Sequence, residues 1–306
     1  MAWRQVIEAF ELLDSAFVDG AKVADFLRAR GIDDIRVQHL VSDAGSTDTL
    51  RIRIRGREAG APILGIIGRL GGIGARPARI GIVSDADGAI AVVAIALKLA
   101  AMNEAGDVLP GDVILTTHIC PCAPTRPHHP VPFMSSPVDR ATLGRIEADP
   151  AMNAILSIDT SRGNRVVNCK AIAITPTVRE GYILPVSNDL IDLLEYVSSR
   201  HAVVFPLSTQ DITPYANGLF HINSMMQPAA FTSAPVVGIA VTAQVAVPGC
   251  ATGANQLDDI ETAVRFSIET AKAFGSGTCR FHDEAEFEKL VNLYGSMARL
   301  QTPGGA

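Results

Sequence analysis

The chain has 306 residues, 48% of them hydrophobic and 19% charged, with a formal net charge of −6. That apolar content suffices for one large core, and an acidic balance without a dense Lys/Arg block argues against a nucleic-acid or anionic-membrane partner. No stretch reaches the roughly 18 uninterrupted apolar residues of a membrane span, and five cysteines, an odd number in a long chain, do not make a disulfide framework.

Residues 4–30 read as two helices with a turn at Val18-Asp19-Gly20. Phe10, Leu13 and Phe17, then Val23, Phe26 and Leu27, recur at helical spacing, and Gly31 ends the second helix. This N-terminus mixes acidic residues into its helical period and lacks a signal peptide's apolar core, so a cytoplasmic protein with reduced thiols is expected. Ile35 to Leu40 and Leu50 to Ile54 alternate like strands across the polar turn Ser42 to Asp48. Arg51, Arg53 and Arg55 alternate with isoleucine and read as the solvated face of the second strand.

Ile63 to Ile67 is a continuous apolar run, as in a strand buried on both faces, and a glycine-rich loop, Gly68 to Gly74, follows it. Gly81 to Ser84 and the acidic turn Asp85-Ala86-Asp87-Gly88 lead into an apolar helix from Ala89 to Met102. Val113 to Thr117 is a further buried strand, as are Ala154 to Ile158, Ala171 to Thr175, Ala202 to Phe205 and Val236 to Val241. Helices are expected over Asn188 to Arg200, Asp258 to Phe274 and Glu284 to Leu300. Apolar strands separated by helices predict a three-layer α/β fold, a mostly parallel twisted sheet with helices on both faces. Residues 1–300 are expected to form one domain, with a flexible tail at 301–306.

In such sheets ligands gather beyond the carboxyl ends of the strands, and three groups of reactive residues sit there. The first is Asp85 with Asp87; Asp85 reads either as a metal ligand or as the N-cap of the following helix. The second is the proline-stiffened loop after Val113 to Thr117, which carries His118, Cys120, Cys122, His128 and His129. Cys120 reads as a nucleophile activated by His118 or as a buried inert thiol, and the C-x-C spacing supports neither a thioredoxin motif nor a zinc knuckle. The third is Asp159, a ligand or an Asx-turn capping its strand. Asp85, His118 and Asp159 together are candidate ligands for a divalent metal, zinc foremost, because they mix O and N donors. Arg69 and Arg76 are candidates for clamping a substrate carboxylate. His221 reads as a site residue or a hydrogen-bonded structural histidine. The glycine loop is neither G-x-G-x-x-G nor a P-loop, and no G-x-S-x-G elbow occurs.

The order of these features resembles the co-catalytic zinc aminopeptidase superfamily, the glutamyl and deblocking aminopeptidases in particular. Ser84 to Gly88 with its apolar helix resembles that family's bridging-aspartate turn, Ile158-Asp159-Thr160 resembles its Asp-x-Thr strand end, and Gly253 to Phe274 resembles its closing helix. The resemblance implies a zinc-exopeptidase-like fold and carries over Asp85 and Asp159 as metal ligands. The sequence departs from the family elsewhere. Gly68-Arg69-Leu70-Gly71 stands in place of the first His-x-Asp ligand, and Cys120-Pro121-Cys122 in place of the Glu-Glu pair. Gly249-Cys250 stand where the last histidine is expected, and the large inserted β-domain is absent. The segments IIGRLGGIGARP, VSDADGA and THICPCAPTRPHHPVPFMSSPV also resemble a bacterial family of about this length known as a domain of unknown function.

These readings predict a metal-dependent hydrolase of an amide or small peptide-like substrate, with His118, Cys120 or Cys122 at the chemistry. Two alternatives stay open: a metal-free Cys/His enzyme, and a binding protein that kept the peptidase fold. A small-molecule or short-peptide substrate and a homo-oligomeric assembly are expected, with no nucleic-acid or membrane partner.

Overall fold

The structure is a computed structural model; it describes residues 1–127, 133–162, 164–215, 217–221, 223–245 and 252–302. Helices α1 (Trp3–Asp14) and α2 (Gly20–Arg28) open the chain. The Asp19 side chain caps α2 by accepting a bond from the Lys22 amide at 2.7 Å. Strands β1 (Ile35–Ser42) and β2 (Gly45–Ile54) form a hairpin paired out to Ser42 and Gly45. The predicted polar turn is therefore mostly strand: its Ser, Thr and Asp side chains alternate on a hairpin at the sheet edge, where polar residues fit one face.

Next come β3 (Leu64–Gly68), α3 (Asp87–Glu104), β4 (Val113–Ile119) and the two-residue strands β5 (Thr125–Arg126) and β6 (Phe133–Met134). Then follow α4 (Arg140–Glu147), β7 (Ala154–Thr160), β8 (Ala171–Ile174), β9 (Val178–Arg179), β10 (Tyr182–Ile183), α5 (Asn188–Ser198), β11 (Val236–Thr242), α6 (Leu257–Gly275) and α7 (Glu284–Tyr294). The main sheet runs β1-β2-β4-β3-β7-β11-β9-β10, with β8 also paired to β11. Its centre, β4-β3-β7-β11, is parallel, while the strands on either side join antiparallel. The expected parallel α/β sheet is thus its core, edged by hairpins.

Helix α3 is buried on nearly every side, between the sheet, α1 and α6, which explains its Ala/Val/Ile composition and lack of a polar stripe. The larger apolar cluster lies on the face covered by α1, α2, α3, α5 and α6. A second cluster, on the other face, packs Ile67, Ile114, Ile155 and Ala240 against Ile212, Met225 and Met226. That face is covered by α4 and by short 3-10 turns at Thr209–Ile212 and Gln227–Ala230.

Two expected elements differ, while the chain before the acidic turn is irregular and enters α3 through a 3-10 turn, Ser84–Ala86. Ala202 to Phe205 contributes only an isolated bridge, Ile174↔Val204. The last helix stops at Tyr294, because Gly295 takes a left-handed φ of 78°. The start of the expected tail is docked: the Gln301 amide donates to the Ala229 and Thr232 carbonyls at 2.7 and 2.8 Å. Residues 303–306 lie outside the described residues. Among the described residues no helix is long and apolar enough to cross a membrane.

Candidate active site

Parallel strands β3 and β7 end side by side, with Gly68 opposite Ile158. The turn into α3 must pass tightly against the end of β3. A Cβ on Gly68 would stand 2.3 Å from the Gly88 carbonyl oxygen, so only glycine admits this approach. Beyond it the glycine-rich loop turns its amides inward. The amides of Gly71 and Gly72 donate to Asp85 Oδ2 at 2.5 and 3.1 Å. Asp85 is therefore held by the loop; no side chain caps α3. It keeps part of its surface open, yet burial pushes its carboxyl up to about 6, against the opposing pull of the two glycine amides.

Asp159, near the end of β7, is 3% exposed. Its Oδ1 accepts from the Thr160 amide at 2.7 Å and its Oδ2 accepts from the Ser224 hydroxyl. Burial, reinforced by the negative charge of Asp85, pushes this carboxyl up to about 8. The two aspartates expected at strand ends do come together, as an electrostatically coupled pair.

Two guanidinium groups face them, and both depend on α4. Asp139 caps this helix by accepting from the Thr142 amide at 2.9 Å. Arg140 and Glu147 begin and end it seven residues apart, a spacing that puts both on one face. Glu147, itself buried, accepts a bond from buried Arg69, fixing that cation beside Asp159. Arg140 lies over the Tyr215 ring, 4.3 Å from its centroid, and its charge acts on Asp85 and Asp159. Burial pushes the Tyr215 phenol up, so it stays a neutral hydroxyl.

Other sequence candidates take supporting places. His118 is fully buried in β4, its Nε2 3.1 Å from the Leu70 carbonyl and its Nδ1 2.8 Å from the Thr47 hydroxyl. A carbonyl only accepts, so Nε2 carries the proton of the neutral ring, and Nδ1 shares the Thr47 hydroxyl proton with the Ile119 carbonyl, 3.1 Å from that hydroxyl. Burial lowers its pKa, which keeps the ring neutral. Both nitrogens of this fully buried ring thus have partners inside the protein, and His118 ties the glycine loop to the sheet. The Cys120 thiol is also fully buried and is pushed up to about 11 by burial, which fits the inert-thiol reading. Cys122 is exposed. Arg76 turns toward the end of α1, donating to the Asp14 carbonyl at 3.1 Å, and is not brought to the carboxyl pair. His221 has its Nδ1 3.1 Å from the Leu219 carbonyl and its Nε2 3.2 Å from the Thr213 hydroxyl, and packs edge-on to Tyr215 at 4.5 Å, so it positions the tyrosine. His128, His129 and Cys250 lie outside the described residues.

Among the described residues no group of three His, Cys, Asp or Glu side chains could hold a metal ion. Asp85 and Asp159 supply carboxyl oxygens, but hydroxyl or amide donors already engage them, both His118 nitrogens have partners inside the protein, and Arg69 and Arg140 bring positive charge to the same space. The described donor set does not fit a divalent ion. Sequence reasoning missed Arg140, Glu147, Tyr215 and Ser224. An Asp cap followed by two residues seven apart could have revealed α4; Tyr215 and Ser224 lie in irregular chain with no periodic signal.

The fold is shared with solved structures of low sequence identity. "Bottromycin maturation enzyme BotP" matches at 18% identity with a TM-score of 0.54, over 90% of this chain and 70% of that one. The same enzyme in complex with Mn matches at 16% and 0.53, over 90% and 71%. A glutaminyl cyclase from an Acidobacteriales bacterium matches at 12% and 0.51, over 90% of this chain and 94% of that one. No curated protein sequence matches. A family model covers residues 38–304, and the chain belongs to that family, described as "Protein of unknown function (DUF1177)".

Proposed function

We propose that this protein is a hydrolase of amide bonds in small peptide-like substrates, with Asp85 and Asp159 at the reacting centre. One observation carries this reading: Asp159 at the end of β7 and Asp85 in the turn entering α3 are brought within electrostatic reach of one another, each held by uncharged donors, so that burial raises both carboxyls but to different extents. With its carboxyl at about 6, Asp85 is mostly ionised at pH 7, while Asp159, at about 8, is mostly protonated. Two carboxyls whose environments separate them in this way are suited to act as general base and general acid.

Asp85 takes a proton from water as the water oxygen bonds to the substrate carbonyl carbon. The oxyanion that forms lies near the Arg140 and Arg69 guanidinium groups, whose charge favours it. Asp159 then gives its proton to the amide nitrogen as the C–N bond breaks, releasing an acid and an amine. The fold shared with a maturation enzyme and a glutaminyl cyclase supports a reaction on a peptide-related substrate. One of those structures is a complex with Mn. The described donors here do not complete a metal site.

The test is turnover on a panel of N-acyl amino acids, dipeptides and glutaminyl amides, run with chelator and again with added Mn²⁺ or Zn²⁺. The reading expects activity with chelator, rising on a limb near pH 6 and falling on a limb near pH 8. Activity that depends on an added ion would replace the carboxyl mechanism, and no turnover on any substrate would sink the hydrolase.

A further inference from the structure

A cavity of about 560 Å³ lies between α4 and the Gln227–Ala230 turn, and Arg140 and Tyr215 line it. Both are only partly buried, and both act electrostatically on Asp159, so they connect cavity and reacting centre. Exposed Arg145, one turn along α4, adds a second guanidinium to the wall; its charge also acts on Asp139. The remaining described lining is neutral, including Phe231, Thr232 and Ser233, and contains no Asp or Glu.

That balance is unusual in a chain of net charge −6. The two larger grooves mix signs. The groove of about 910 Å³ sets Arg179 and Arg280 against Asp283 and Glu284, and lies by Asn153 and Pro235, where β7 and β11 begin. The groove of about 900 Å³ mixes Arg30 and Arg55 with Asp33 and Asp34. In the Arg140 cavity alone among these three, the walls offer cationic forks and hydroxyls without an opposing carboxylate. A guanidinium fork matches a carboxylate with two parallel N–H···O bonds.

We propose that this cavity is the subsite for a carboxylate-bearing flank of the substrate, so that the protein acts on amides with a free carboxylate close to the scissile bond, such as N-acyl amino acids and dipeptides. Arg140 and Arg145 take the carboxylate, Tyr215 and the neighbouring hydroxyls complete its shell, and Phe231 packs on the side chain. The proposal rests on the hydrolase reading for where the scissile bond lies, but not for whether the flank binds.

The test is calorimetric titration of the full chain with N-acetyl-L-alanine and with N-acetyl-L-alaninamide, which differ only in that charge, and with inorganic phosphate. Charge-assisted bonds to a guanidinium predict at least about tenfold tighter binding of the carboxylate than of the amide. Arg145→Gln, on the exposed side of the cavity, should remove several-fold of that preference without changing thermal stability, and Arg140→Gln should remove most of it. Equal affinities, no binding of either, or phosphate binding tighter than the carboxylate would overturn the proposal. Carboxylate binding without turnover of any amide would sustain the subsite and refute the hydrolase; turnover of neutral amides with no carboxylate preference would do the reverse.

Discussion

Two clusters in this protein are built from the same residue types, aspartate and arginine, and do different things. In one, Arg162 lies fully buried between two carboxylates, its Nε donating to Asp87 and its Nη1 to Asp259, both at 2.9 Å. Asn255 adds a bond to Asp87 at 2.8 Å, and the two carboxylates hold the guanidinium in its charged form. In the other, Asp85 and Asp159 accept from amides and a hydroxyl, while Arg69 pairs with Glu147 and Arg140 lies on an aromatic ring. The first cluster closes its charges on one another and fastens α3, β11 and α6 together. The second keeps its carboxyls without direct cationic partners among the described residues, so burial raises both, and the charge of Asp85 raises Asp159 further, into the range where protons move at neutral pH. Acid and base in contact make structure; held slightly apart, they can make chemistry.

That contrast can be broken most forcefully at Arg162. Arg162→Ala would leave buried Asp87 with only Asn255 and buried Asp259 with only Lys170, 3.4 Å away, a loss of about 3–5 kcal/mol by the usual cost of breaking a buried pair. Denaturant unfolding reads it, and a loss no larger than that of a surface substitution would erase the distinction. Asp159→Asn should behave in the opposite way. Under the proposed mechanism it lowers kcat on the order of 10²–10⁴-fold, while urea unfolding at pH 8 finds the variant at least as stable as the parent.

The pH dependence of stability sharpens the same point. The Asp159 carboxyl moves from about 3.8 unfolded to about 8 folded, so the native state binds the extra proton between those values. This carboxyl's contribution is fully favourable below about 4 and is lost as pH rises toward about 8; Asp85 adds a smaller effect ending near 6. Unfolding free energies compared between parent and Asp159→Asn from pH 4 to 8 should diverge steadily with rising pH, and parallel curves would refute the elevated carboxyl. The smallest effect is expected at Cys122, which is exposed: Cys122→Ser should alter stability by no more than about 0.5 kcal/mol and leave turnover unchanged. A large loss of turnover would return the chemistry to the His/Cys loop.

That loop was the most conspicuous feature of the sequence, and its described part has a structural role. His118 has the composition of a ligand, but only its two partners, Thr47 and Leu70, reveal that both nitrogens are occupied. Asp85 and Asp159 were legible because each follows an apolar strand or precedes an apolar helix, and the ends of parallel strands are where sites form. Arg69 was legible as a cation in the glycine loop; its partner Glu147, nearly eighty residues on, was not.

The amino-acid sequence by itself determined the buried strands, the all-apolar helix after the acidic turn, and the end of the sheet at which reactive side chains gather, because these depend on local periodicity and on where apolar runs stop. Tertiary structure decided which of those side chains bear protons. Protonation depends on burial and on charges a few ångströms away, and the groups that supply them here, on α4 and in the irregular chain at Tyr215 and Ser224, meet the aspartates only once the sheet has been covered.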